Sequence, residues 1–223
     1  MANIIMCDPK GGADLLVKRI TDTLESYTIP DSVSALCASA FTGATQLKSV
    51  IFPQQIGLGA SAFSGAGLQT VHLHAVTAIG SNAFSTCTSL ETLVCESGTL
   101  NATFAFQYCS NLRVVDVNVP SFGSAAFNAC KNLQTLILRK TDGLTTGGGV
   151  LSASDYFKSG GIGGTIYIPT VLFDHLGDGS SLDYKAASGW STIDGYGTIT
   201  WAKIEGSAYE TVYADGAPIS AGG

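Results

Sequence analysis

The sequence predicts a mainly-β solenoid of parallel strands, built from about five coils of 21–22 residues and capped at both ends. Three observations predict it. An Ala-Phe pair recurs with its phenylalanine at Phe41, Phe63, Phe84, Phe106 and Phe127, in steps of 22, 21, 22 and 21 residues. A leucine follows each of them five or six residues later, at Leu47, Leu68, Leu90, Leu112 and Leu133. Each leucine opens a short apolar alternation, which is the period of a strand with one buried face. Self-similarity at a fixed spacing of this size marks a stacked repeat, one strand-bearing coil per unit.

The elements follow in order along the chain. Residues 1–26 are read as an N-terminal cap, because Leu15 to Leu24 carries the Val, Ile and Thr of a strand and precedes the first repeat. A half-repeat begins at Ser26-Tyr27-Thr28-Ile29-Pro30, which mirrors Val50-Ile51-Phe52-Pro53. Residues 27–140 are the solenoid. In the third coil the inward column reads Ile79, Phe84, Cys87, Leu90, Leu93 and Cys95, tightening to every second residue after the leucine. The equivalent inward pairs are Val50 and Phe52, Val71 and Leu73, Val115 and Val117, and Leu136 and Leu138. Stacking aligns these pairs into a parallel sheet with about 4.8 Å between strands. A single coil cannot bury enough apolar surface to offset the entropy of ordering it, so each must lean on its neighbours and the ends must be covered.

Past Leu138 the period is lost at Gly143 and Gly147-Gly148-Gly149, and Asp155 to Gly164 reads as irregular, glycine-punctuated chain. Residues 141–223 are therefore read as a C-terminal cap and a small β-rich closing segment. Within it Thr165 to Pro169 is a strand, Val171 to Leu176 a short helical turn, Gly197 to Tyr213 one or two strands, and Ala217 to Gly223 a tail of small residues.

Composition limits the function. The chain has 223 residues, 45% of them apolar, enough for a folded core. Only 13% are charged, about half the usual share, and the formal net charge is −6. Eleven scattered Lys and Arg cannot form a phosphate-binding groove, so no nucleic acid is expected as a partner. No stretch approaches 18 consecutive apolar residues, and no membrane insertion is expected. Met1 to Asp8 has no basic start and no apolar run of signal-peptide length, so the expectation is a protein that stays where it is made or leaves by lysis or in a particle. Of the six cysteines, Cys87, Cys109 and Cys130 each follow a repeat phenylalanine by three residues, in the column that holds Ala44 and Ala66 in earlier coils. Such a slot takes a small buried side chain, so reduced core thiols are preferred over a bridge between neighbouring coils or a metal site. No Cys-x-x-Cys spacing occurs.

Ser81 to Leu93, Phe104 to Leu112 and Ala125 to Leu133 share the pattern Ile-Gly-x-x-Ala-Phe-x-x-Cys-x-x-Leu in whole or part. This pattern resembles the BspA-like class of leucine-rich repeats, over about residues 27–140. The resemblance implies a leucine-rich-repeat solenoid without catalytic activity, used in surface adhesion or protein contact. The closing stretch Gly164 to Pro169, Tyr184-Lys185-Ala186-Ala187 and Trp190-Ser191-Thr192 resembles the ending of similar proteins encoded by gut phages and bacteria, with an insertion around Leu176 to Ser180. It implies a phage virion component, a capsid decoration or a tail adhesin. The partners would then be other virion proteins or a host surface molecule, in a homo-oligomer or symmetric assembly. The alternative is a bacterial surface adhesin or a cytoplasmic protein-interaction module.

No catalytic, cofactor-binding or metal residue is assigned. His175 lacks a nucleophile elbow, and Asp8 to Gly12 and Gly147 to Gly149 lack the Gly-Lys-Ser/Thr of a phosphate loop. His72 and His74 face the same way on one strand, an arrangement two imidazoles sharing a metal would need and an exposed strand pair also gives. The candidate contact stripe is Ile51, His72, His74, Val94, Asp116 and Ile137, outward positions of successive strands. Ile51, Val94 and Ile137 facing water would be an apolar patch of the kind that meets a partner. Packing of a flank or of the chain's own tail over them is the competing reading.

Overall fold

Every second side chain after each repeat leucine is apolar, and in the computed structural model these runs are strands. Residues 5–7, 16–18, 24–140, 145–146, 165–180, 183, 200–204, 213–214 and 217–218 are described. The first elements are β1 (Ile5–Cys7), β2 (Leu16–Lys18), β3 (Ser26–Thr28), β4 (Ala35–Leu36), β5 (Ser49–Ile51) and β6 (Ile56–Leu58). Then come β7 (Thr70–Ile79), β8 (Thr92–Gly98), β9 (Val114–Val117), β10 (Ser121–Phe122), β11 (Thr135–Leu138) and β12 (Thr145–Thr146). The chain ends with β13 (Thr165–Pro169), one helical turn α1 (Thr170–Phe173), β14 (Thr200–Ile204), β15 (Tyr213–Ala214) and β16 (Ala217–Pro218).

Eight strands form one sheet in the order β14-β13-β11-β9-β8-β7-β6-β4, each parallel to its neighbours. β7 is long enough to serve two sides of its coil. Its first half, Thr70 to Leu73, lies beside Thr92 to Cys95 of β8, while Val76, Ala78 and Ile79 lie beside Ile56, Gly57 and Leu58 of β6. The second side continues through the bridge of Leu100 with Phe122 and the parallel pair β10 and β12. A coil is thus two strand segments joined by a turn that carries the phenylalanine, the stacked β-solenoid the spacing predicts.

The core is one spine. Phe41, Phe63, Phe84, Phe106 and Phe127 are completely buried. Their rings stack face to face with centroids 4.8, 5.2, 5.2 and 5.3 Å apart and planes within 13° of parallel. The five repeat leucines and all five predicted inward pairs are buried around them. Burial of each such side chain contributes about 2–3 kcal/mol, so the stack dominates the stability of the solenoid.

The turn around each phenylalanine is regular in a way the sequence does not announce. Residues two before it (Ser39, Ser61, Asn82, Phe104, Ala125) and two after it (Gly43, Gly65, Thr86, Tyr108, Ala129) all have positive φ, between 50° and 70°. This pattern turns every second N–H group toward the next coil, while those between bond within their own turn. The amides of Ser39, Phe41 and Gly43 donate to the carbonyls of Ala60, Ala62 and Ser64, and the same triplet recurs at each later step to Tyr108. Left-handed backbone destabilises a non-glycine residue by about 1–2 kcal/mol, and the inter-coil ladder offsets that strain. Elsewhere the coils approach so closely that only glycine fits: a Cβ on Gly80 would stand 2.3 Å from the Ala60 nitrogen.

The half-repeat at Ser26 is present, with Tyr27 of β3 opposite Val50 of β5. At the other end the parallel sheet does not stop at Leu138. Thr165 of β13 stands opposite Thr135, and Trp201 of β14 opposite Ile166, so the loss of the sequence period does not end the stacking. The predicted tail of small residues contains β16, paired antiparallel with β15. The whole glycine-rich stretch 147–164, the Tyr184 to Thr192 segment and most of the proposed N-terminal cap lie outside the described residues.

Candidate functional site on the strand face

Side chains that point away from the phenylalanine spine form rows across the parallel strands, because parallel register places equivalent residues side by side. One row is Thr70, Thr92, Val114, Thr135, Thr165 and Thr200. The next is His72, Val94, Asp116, Ile137, Tyr167 and Ala202. Four of the six stripe positions, His72, Val94, Asp116 and Ile137, fall in this row; His74 lies two residues further along β7, and Ile51 lies on β5, which pairs with β3 in a separate sheet. Ile51 is 64% exposed, His72 is exposed, and His74 and Val94 are half-buried.

Asp116 and Ile137 are both only 3% exposed, which corrects the expectation that they face water. Asp116 is covered by a charge partner: Arg139 donates from Nε to Oδ1 at 2.6 Å and from Nη2 to Oδ2 at 2.8 Å. Burial is the largest influence on this carboxyl and raises its pKa above the ordinary aspartate range, against the lowering by the Arg139 guanidinium. Ile137 is flanked in its row by Asp116 and Tyr167, because β13 extends the sheet beyond it. The apolar patch shrinks to Ile51 and the half-buried Val94.

The exposed part of the face carries a cluster. His72 Nε2 lies 2.6 Å from Glu96 Oε1, and His74 Nδ1 lies 3.2 Å from Glu96 Oε2. The two imidazoles are 4.7 Å apart between centroids and tilted by 44°. One donor atom from each of the three residues lies within 4.8 Å of the others, so they are the described residues able to hold a metal ion. Burial raises the Glu96 carboxyl, but the hydrogen bonds from His72 and His74 outweigh it and leave the pKa below its ordinary value. Two of the three groups belong to the predicted stripe. Glu96 does not, although it lies one 22-residue period beyond His74 and counting along the repeat would have found it.

Residues 19–134 match the BspA type leucine rich repeat region, in six copies. The chain belongs to this family. Two solved structures are similar to this BspA-type protein. One is a leucine-rich repeat protein from Bacteroides ovatus, 16% identical, covering 82% of this chain and 55% of that one with a TM-score of 0.40. The other is a leucine rich cell surface protein from Faecalibacterium prausnitzii, 18% identical, covering 81% of this chain and 60% of that one with a TM-score of 0.34. The chain thus spans little more than half the length of these two proteins. A search of curated proteins gives no match.

The cysteine column of this BspA-type repeat is built as the spacing predicts and does more than fill space. Cys87, Cys109 and Cys130 are fully buried, and their thiols donate to the carbonyls of Phe63, Phe84 and Phe106 in the preceding coils at 3.0, 3.1 and 3.1 Å. The neighbouring Cys109 thiol and burial raise the Cys87 pKa well above the ordinary thiol range, and burial does the same to Cys109. Burial also pushes Cys95 up to about 12. Such thiols stay protonated and are poor nucleophiles and ligands. His175 holds Asp178 three residues on, Nδ1 to Oδ2 at 2.6 Å, a local contact in the turn after α1. No helix among the described residues is long and apolar enough to cross a membrane.

Proposed function

We propose that this chain is a non-catalytic binding module that takes a protein partner on the strand face around Ile51, His72, His74 and Val94. The observation that carries the reading is Ile51, a large aliphatic side chain 64% exposed on β5, a strand paired with β3 and flanked there by Thr28. An exposed apolar anchor with a polar surround is the makeup of a protein interface. The non-catalytic reading draws on how polar groups are used elsewhere: Asp116 is held by Arg139, His175 by Asp178, and Asp174 by Lys203 at 2.8 Å.

A photoreactive residue at position 51 tests it. A discrete adduct with one protein, absent when the same group stands at exposed Tyr108 on the turn side, is the expected result. An adduct from position 108 alone would place the contact on the opposite side and sink the reading.

A second reading, a phage virion component within a symmetric assembly, draws on the resemblance of the Tyr184-Lys185-Ala186-Ala187 and Trp190-Ser191-Thr192 ending to gut-phage proteins. Mass spectrometry of purified particles from the source decides it: copies in a fixed ratio to the capsid protein support it, and presence only in the cell-surface fraction favours a bacterial adhesin.

A further inference from the structure

We propose that His72, His74 and Glu96 form a surface zinc site that leaves coordination positions open to water or to a ligand atom of a bound molecule. The site shares His72 and His74 with the proposed partner face, but its test reads metal binding alone and can fail while the partner reading stands. His72 and His74 approach separate oxygens of one carboxylate, at 2.6 and 3.2 Å, and the three donor atoms fall within 4.8 Å of one another. Donors around a tetrahedral zinc sit about 2.0–2.2 Å from the ion, hence roughly 3.3–3.5 Å from each other. Small side-chain rotations bring all three to that spacing.

The backbone beneath is fixed. Leu73, between His72 and His74 on β7, and Cys95, next to Glu96 on β8, are opposite each other in the parallel register and buried in the core. The donors therefore ride on two rigid neighbouring strands rather than on a loop, the placement that holds a metal geometry. Side-chain exposures of 47% for His72, 31% for His74 and 52% for Glu96 leave the ligands accessible to an ion from solvent.

Donor chemistry selects the ion. Two imidazole nitrogens and one carboxylate suit zinc and its first-row neighbours, whereas calcium and magnesium prefer all-oxygen shells. The next carboxylate across the sheet, Asp116, has both oxygens engaged by Arg139 and is not a fourth ligand. Three protein donors with an open position is the ligand count of zinc sites that accept an exogenous group.

The test uses untagged, metal-free protein titrated with zinc by calorimetry and with cobalt by visible absorption. The expected result is one equivalent bound, with the d–d bands of four-coordinate cobalt and no cobalt–thiolate charge transfer. His72→Ala and His74→Ala should each weaken binding about tenfold or more, since even partners outside the ligand shell change affinity by that much. Glu96→Gln should also weaken it, while His175→Ala should leave it unchanged. Sub-stoichiometric cobalt added to the unmodified protein should broaden the ring resonances of His72 and His74 and spare His175. Non-saturating binding, thiolate bands, or affinity that survives both strand histidine substitutions would overturn the site.

Discussion

Ala129 holds φ at 60° and Thr86 at 59° in the slot that Gly43 and Gly65 occupy in the first two coils. Glycine adopts this conformation without steric penalty, and alanine does not. Because nothing lies within 4 Å of a Cβ added to Gly43, Gly43→Ala isolates the backbone effect and should destabilise by about 1 kcal/mol. Ala129→Gly should stabilise by about 0.5–1 kcal/mol, the left-handed strain less the extra entropy of glycine. Urea denaturation of both variants measures the pair, and equal effects of one sign would contradict the assignment. Asp116 supplies a second residue-scale test. Its folded pKa is raised above the unfolded value of about 3.9, so the native state keeps its proton while the unfolded chain ionises. Its contribution to stability is full below about pH 4 and is lost as pH rises through the folded pKa. Compared with Asp116→Asn, the unmodified protein should lose stability across that window, seen in urea midpoints collected from pH 4 upward. A difference that grows with pH would mean the Arg139 charge outweighs burial.

At the scale of one coil, the phenylalanine, leucine and strand columns were legible because burial imposes a strict residue type on a fixed spacing. Cys87, Cys109 and Cys130 were legible as small and buried, but not as donors to the preceding phenylalanine carbonyls, since the alanine in earlier coils fills the same space without a donor. The left-handed positions were hidden for the same kind of reason. Their inter-coil hydrogen bonds use only backbone, so serine, asparagine, threonine, phenylalanine, tyrosine and alanine all stand there without a common side-chain signal. On the strand face His72 and His74 were legible as a pair, whereas the cover over Asp116 depends on Arg139, a full coil away, and could not be read from the local pattern. The thiol bonds lead to a prediction for the element. Cys109→Ser keeps a donor within reach of the Phe84 carbonyl, but its hydroxyl enters an apolar slot; Cys109→Ala removes the donor and keeps the slot apolar. With that carbonyl still accepting the Cys87 amide at 3.3 Å, Cys109→Ala should destabilise by only about 1 kcal/mol. The native thiols of Cys87 and Cys109 should resist alkylation at pH 8 until the chain is unfolded. Rapid labelling of either without unfolding would show that the column opens locally.

At the scale of the whole molecule, each coil touches only its neighbours, so stability is a sum of coil and interface contributions rather than a property of one centre. Phe84 is the middle ring of the stack, 5.2 Å from both Phe63 and Phe106, and Phe84→Ala removes two ring contacts and leaves a cavity in the spine. The loss should be about 3–5 kcal/mol. Its distribution is the more telling quantity. The Phe63 amide donates to Ala83 at 2.7 Å and the Phe84 amide to Ala105 at 2.8 Å, so the coil holding the cavity is hydrogen-bonded to the coils on either side. Hydrogen exchange in Phe84→Ala should therefore lose most protection at Phe63, Phe84 and Phe106. Amides of β11, whose partners are β9 and β13, should lose less, because the damaged interface is not theirs. A uniform loss across all strands would instead mean that the sheet from β4 to β14 opens as one unit, with coupling between coils stronger than the intrinsic stability of any coil. That outcome would also bear on the strand face, since a face that opens only as a whole presents Ile51 and the histidine–glutamate cluster as a single rigid surface.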